Sequence, residues 1–210
     1  MLNVWGRISS INVRKVVWCA QELGLDFQRT EAGGRFGVVQ TPDYLHMNPN
    51  GLVPAIDDGE GEDRVTLWES NVIVRYLCAR HSMGKLYPEP LAERFDAERW
   101  MDWQLTTLSA PSWTIFLGLV LTKPEQRDIA AITAATKRFN ELWTIVDKVL
   151  ATRKFVAGDQ LTIGNIPMGI AAYRWFTILV ERDHHPHLEA WYGHLTERPA
   201  FKKYVMTPLL

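Results

Sequence analysis

Residues 2–31 read LNVWGRISSINVRKVVWCAQELGLDFQRTE, and this stretch decides the fold of the first half of the chain. Leu2 to Gly6 is a short strand. Val13, Val16, Val17, Ala20 and Leu23 then recur at helical spacing on one face, and Gly24 stops that helix. Phe27 to Glu31 reads as a second strand, so the stretch is a βαβ unit with parallel strands. Beyond an irregular, Gly-rich segment, Pro54 to Asp57 and Val65 to Trp68 form a hairpin around Asp58-Gly59. Ser70 to His81 carries Val72, Ile73, Tyr76 and Leu77 at helical spacing and closes a ββα unit onto the first.

The pattern breaks around Gly84 to Pro90, where Pro88 and Pro90 flank Glu89. A domain over residues 1–83 and a second over 90–210 are expected. The second is helical: Phe95, Trp100, Trp103 and Leu108, then Ile132, Phe139, Leu142, Val146 and Leu150, fall on recurring faces. Thr162 reads as the cap of a helix running through Met168 to Val180, but the residue three positions on is the neutral Asn165, where a capping box carries an acid or its amide. His184-His185-Pro186-His187 opens a loop before a last helical stretch, Leu188 to Leu195.

Composition removes several classes of function. Hydrophobic residues are 47% and charged residues 22% of the 210, which describes a globular protein, and the formal net charge of -1 leaves no broad basic face for nucleic acid. Met1 leads directly into Leu2-Asn3-Val4-Trp5, without the basic and apolar segments of a secretory signal. No unbroken apolar run approaches the roughly 20 residues that span a bilayer, so neither export nor a membrane is expected. Cys19 and Cys78 are far apart in sequence and outside any C-x-x-C spacing, which predicts neither a disulfide framework nor a zinc site and fits the cytoplasm.

Three segments of the first domain carry chemistry. Ser9-Ser10-Ile11-Asn12 lies between the first strand and the first helix. Its side chains either cap the helix or, helped by the helix N-terminus, donate hydrogen bonds to a bound thiolate and lower its pKa. Asn48-Pro49-Asn50-Gly51-Leu52-Val53-Pro54 is either a plain turn or, with a cis Val53-Pro54 bond, a segment whose Val53 N–H and C=O pair with an extended peptide. In Trp68-Glu69-Ser70-Asn71, Ser70 is either an N-cap or part of a clamp. In the clamp, free N–H groups and the Ser70 hydroxyl hold a carboxylate while Glu69 attracts an ammonium group.

The succession S-x-N-V-R-K-V, N-P-N-G-L-V-P, W-E-S-N and then F-V-A-G-D-x-L-T-I resembles the cytosolic glutathione transferases along the whole chain, and among them the bacterial Ser- or Asn-type group. The resemblance implies an α/β plus all-α protein: a thioredoxin-like βαβ-ββα domain, a helical-bundle domain and a homodimer. It implies glutathione as co-substrate, with no metal, and a small electrophile as the other reactant. By position Ser10 matches the activating hydroxyl, with Ser9 as the nearest competitor, while Asn12 also stands where its amide donates to the sulfur. Val53, beside Leu52, matches the residue whose backbone pairs with the cysteinyl unit, Pro54 the cis proline, and Glu69 with Ser70 the γ-glutamyl clamp. Gln40 falls near the glycine end. No Cys occupies the activating position, so conjugation or dehalogenation is expected rather than a mixed disulfide on the protein. Trp113 and Phe116, with Leu117 and Trp175, are the candidate apolar wall for the electrophile. His184, His185 and His187 read as a solvated loop rather than a metal site. The alternatives are a glutathione-dependent disulfide reductase and a non-catalytic glutathione-binding protein.

Overall fold

The computed structural model describes all 210 residues and separates into two units, residues 1–87 with 198–210, and residues 88–197. The first unit holds β1 (Leu2–Trp5), α1 (Ile11–Glu22), β2 (Phe27–Thr30), α2 (Pro42–Met47), β3 (Ala55–Asp58), β4 (Val65–Trp68) and α3 (Ser70–His81). The four strands make one mixed sheet in the order β2-β1-β3-β4, with β1 parallel to β2 and antiparallel to β3. This is the expected βαβ-ββα arrangement. Val13, Val16, Val17 and Ala20 are fully buried, as their spacing predicts, and α3 packs against α1 with Ile73, Val74 and Leu77.

Three details differ from the sequence reading. β3 begins at Ala55 rather than Pro54, because proline has no N–H to give the ladder. The segment expected to be irregular contains α2, whose start was encoded all along: Thr41 Oγ1 accepts from Tyr44 N–H at 3.3 Å and Pro42 fills the first helical position. Cys19 and Cys78, distant in sequence, are neighbours in space, both buried, with their sulfurs 3.4 Å apart as free thiols. Their hydrogen bond and their burial push the Cys19 thiol well above its ordinary pKa, which leaves it protonated.

The second unit holds α4 (Leu91–Trp103), α5 (Ser109–Phe116), α6 (Ile129–Leu150), α7 (Asn165–Thr177) and α8 (Pro186–Thr196), with π-helical turns over Gln104–Leu108 and Leu117–Leu121. α6 buries Ile132, Phe139, Leu142, Val146 and Leu150, as read from its period. Phe95, expected on a packed face, is 60% exposed instead. The helical run from Leu91 to Leu121 is long and apolar enough to cross a membrane by length and composition alone. Its first half carries Glu93, Arg94, Asp96, Glu98, Arg99 and Asp102, and its apolar stretch is the second half.

α7 starts at Asn165, not directly after Thr162: the chain first makes a tight turn in which Asn165 N–H donates to Thr162 C=O at 2.9 Å. His184 to His187 is not a wholly solvated loop either. Pro186 opens α8, whose first N–H groups, on His187 and Leu188, donate to Asp147 Oδ1 at 2.8 and 2.9 Å. His185 is buried with Nε2 3.1 Å from Thr144 Oγ1.

Residues 198–210, expected within the helical domain, belong to the first unit. They include α9 (Pro199–Tyr204), which the sequence reading did not find. The reason is specific docking on α1: Arg198 pairs with Glu22, and the Phe201 ring meets Trp18 edge-on with centroids 4.9 Å apart.

Candidate active site

Two helices of the first unit begin next to each other. Ser10 is the N-cap of α1 in extended backbone (φ -76°, ψ 122°), and its C=O accepts from Arg14 N–H at 3.0 Å. Its hydroxyl makes no capping hydrogen bond, so the capping role is not used and the group is left available. At the start of α3 the N-cap is Glu69, and Ser70 is the first helical residue rather than the cap. Glu69 has φ 69° and ψ 105°, a conformation rare for a residue with a Cβ and characteristic of ligand-clamping turns. The Ser70 hydroxyl donates to Asn12 Oδ1 at 3.3 Å, which joins the two helix starts. With Oδ1 thus engaged, Asn12 keeps its amide N–H groups as donors. Each start also presents first-turn N–H groups that helix geometry leaves without an intrahelical acceptor.

Opposite them lies the approach to β3. The Val53-Pro54 bond is cis, and Val53 N–H and C=O take no part in the backbone ladder, which begins at Ala55. The preceding carbonyl, by contrast, is saturated: Leu52 C=O accepts from Tyr44 Oη and from Asn48 Nδ2, both at 2.7 Å. Asn48 Oδ1 in turn accepts from the backbone and side chain of Asn50, at 3.1 and 3.0 Å. Burial pushes the Tyr44 phenol up to about 12, so at neutral pH it keeps the proton that it donates to Leu52 C=O. Gly6, where β1 leaves the sheet, allows the close approach: a Cβ there stands 2.3 Å from Val13 Cγ2 and 3.2 Å from Val53 Cβ.

Leu52, Val53, Pro54, Glu69 and Ser70 line one cavity of about 70 Å³, with Asn12 also on its wall. Asn48, Asn50 and Trp68 complete the lining, and sequence reasoning did not single them out. Asn48 and Asn50 were legible as an Asx-type turn before a glycine, a signal of loop geometry that names no ligand. Ser10 stands two residues from the lining residue Asn12, and Gln40 lies on the other side of the loop, its Nε2 2.5 Å from where a Gly51 Cβ would be. Larger hollows, of about 370 Å³ beside Gln21 and Lys203 and about 300 Å³ beside Arg153 and His194, hold none of the expected site residues.

In the second unit, Trp113 is 52% exposed and its ring lies 5.9 Å from that of Phe116. Phe116 is largely buried beneath the Arg174 guanidinium, 4.1 Å from its ring centre. Trp175 is core rather than wall: it is 1% exposed and packs edge-on against Phe139. No three His, Cys, Asp or Glu side chains converge in a way that holds a metal ion.

Comparison with known proteins places this geometry. The glutathione S-transferase N-terminal domain family matches residues 9–80, and the C-terminal domain family residues 110–199. Glutathione S-transferase GstB of Escherichia coli K12 is 43% identical over 209 residues, covering 100% of each chain. The crystal structure of a theta-class glutathione S-transferase from Xanthomonas axonopodis pv. citri with glutathione bound superposes with a TM-score of 0.93 at 44% identity, over 100% of this chain and 99% of that one. The disulfide-bond oxidoreductase YghU of E. coli K12 is more distant, 28% identical over 76% of this chain and 57% of its own length.

Proposed function

The chain belongs to the glutathione S-transferase family, and from that premise we propose that it binds glutathione along Val53, Glu69 and Ser70 and activates its thiol for attack on a small electrophile. The observation that carries the reading is the gathering of complementary groups around one cavity. Glu69 and Ser70 supply an anion and a hydroxyl with free N–H groups, which suit the ammonium and carboxylate of the γ-glutamyl unit. Val53 supplies an unpaired N–H and C=O for the cysteinyl backbone. Gln40, across Gly51, is in reach of the same loop for the glycine end.

The sulfur then lies by the start of α1, where Ser10 or Asn12 donates to the thiolate. Bringing a thiol from a pKa of about 9 to about 6.5 takes on the order of 3 to 4 kcal/mol. One charge-assisted hydrogen bond plus a helix N-terminus supplies roughly that amount. Neither group is a base; each stabilises the anion, and the proton leaves to solvent. Ser70 holds Asn12 through Oδ1 and leaves the Asn12 amide N–H groups as donors for the sulfur. Trp113 offers apolar surface for the electrophile, whereas Phe116, covered by Arg174, supports it from beneath. Detoxification in the cytoplasm and assembly as a homodimer complete the reading, with the exposed Trp68 and Val72 as apolar surface for a second copy.

The test is turnover by the purified protein with glutathione and three probes: a chloronitrobenzene, a haloacetate and a small disulfide. Conjugation or dehalogenation is expected. Turnover of the disulfide alone moves the protein to reductase chemistry, the activity named for the YghU relative, and binding without turnover makes it a glutathione-binding protein.

A further inference from the structure

α1 carries Arg14, Trp18 and Glu22 at intervals of four, hence along one face, and each meets a residue of the carboxy-terminal segment. Glu22 accepts from Arg198 Nε at 2.8 Å and from Nη2 at 2.5 Å. Trp18 Nε1 also donates to Glu22 Oε1, at 2.8 Å, while the Trp18 ring takes Phe201 edge-on. Arg14 donates through Nη1 to Val205 C=O at 3.2 Å and through Nη2 to Pro208 C=O. The segment therefore runs antiparallel to α1, from Glu22 back to Arg14, and ends at the turn that follows Ser10.

Arg14 is fully buried and does one thing more. Its Nε donates to Ile8 C=O at 2.8 Å, and its own backbone N–H donates to Ser10 C=O at 3.0 Å. One residue thus grips both sides of the Ser9-Ser10 step and, with its remaining nitrogens, the end of the chain. The guanidinium is a rigid planar fork, so a displacement of the carbonyls on one side moves the donor that holds the other. A buried cation committed to backbone carbonyls on two segments is costly to assemble.

We propose that Arg14 is a positioning residue through which the carboxy-terminal segment sets the placement of the Ser9-Ser10 step and the start of α1, where the donor to the glutathione sulfur stands, be it Ser10 or Asn12. The proposal rests on the glutathione transferase reading. It separates two properties of the site: the cavity that binds glutathione is built by Val53, Glu69 and Ser70, whereas the step that ionises the sulfur is held by Arg14 and the tail.

Three proteins test it against wild type: Arg14→Lys, Arg14→Met, and a chain lacking Pro208 to Leu210, which removes one carbonyl and leaves Arg14 in place. The readouts are the ultraviolet absorbance of bound thiolate at neutral pH, the split between kcat and KM, and hydrogen exchange across residues 7–13. The deletion and Arg14→Met are expected to lower the thiolate signal and kcat about tenfold, the equivalent of one pKa unit, while KM for glutathione stays within about twofold. Arg14→Lys, which keeps the charge without the fork, recovers part of the loss. Exchange at residues 7–13 quickens in the deletion whether or not glutathione is present. Unchanged thiolate signal and kcat in the folded deletion variant, or a rise in KM alone, overturns the positioning role. A wild type without thiolate absorbance overturns the functional reading, and unchanged exchange in the deletion then shows that the mechanical link is absent too.

Discussion

Asn12 and Asn165 both stand in the first turn of a helix, and the protein treats them in opposite ways. Asn165 is fully buried and spent: Nδ2 donates to Thr162 C=O and Oγ1 at 3.4 and 3.3 Å, and Oδ1 accepts from Val156 N–H at 3.3 Å and Trp191 Nε1–H at 3.1 Å. Asn12 is half-buried on a cavity wall, with Ser70 as its partner and its amide donors still to give. The same contrast separates Thr41, which caps α2, from Ser10, which occupies a cap position and caps nothing. A polar side chain that serves the fold has its hydrogen bonds made internally; one that serves a ligand is held in place with capacity left over.

Mutations at these positions break the comparison in order of size. Asn165→Leu leaves the Val156 N–H and the Trp191 Nε1–H buried without partners, and is expected to cost about 2 to 4 kcal/mol in urea unfolding. Glutathione affinity per folded molecule stays as in wild type. Ser10→Ala and Asn12→Ala should do the reverse, leaving unfolding within about 0.5 kcal/mol of wild type because neither removes a cap. Whichever of the two donates to the sulfur loses roughly ten- to a hundredfold in kcat, equivalent to about 1.5 to 3 kcal/mol for a hydrogen bond to a charged group. An Asn12→Ala variant with full turnover and a crippled Ser10→Ala settles the pair in favour of the serine, and the opposite result in favour of the amide.

Tyr44→Phe is the smallest change, expected to cost about 0.5 to 1.5 kcal/mol through the lost hydrogen bond to Leu52 C=O. Its pH signature is more informative. Because the folded phenol titrates near 12 against an ordinary value of 10, its contribution is complete below pH 10 and is lost as pH rises from 10 towards 12. Wild type should therefore lose melting temperature more steeply than Tyr44→Phe over that interval, and parallel curves contradict the assigned burial.

Most of the first unit was legible because its signals are local. The periodicity of Val13 to Ala20 and of Val72 to Leu77 marks both helices, and Val65 to Trp68 reads directly as a strand. Short motifs carry Val53, Pro54, Glu69 and Ser70, and the structure gathers them at one cavity. What escaped depends on partners distant in the chain. Arg14 looks like a solvent-facing helix residue until Val205 and Pro208 come back to it, and Cys19 meets Cys78 only once α1 packs on α3. Tyr44 and Asn48 are unremarkable until both are seen on one carbonyl. Burial was the other blind spot: an aromatic at helical spacing does not reveal whether it lines a wall, like the exposed Trp113, or fills a core, like Trp175.

The central claim is that the cavity at Val53, Glu69 and Ser70 recognises glutathione, and calorimetric titration of the purified protein with glutathione, beside Glu69→Gln, tests it most directly. The account predicts saturable binding at millimolar concentration or tighter for wild type, weakened about tenfold when the carboxylate that meets the ammonium group is neutralised. No heat of association at millimolar glutathione, or equal affinity in the two proteins, contradicts it.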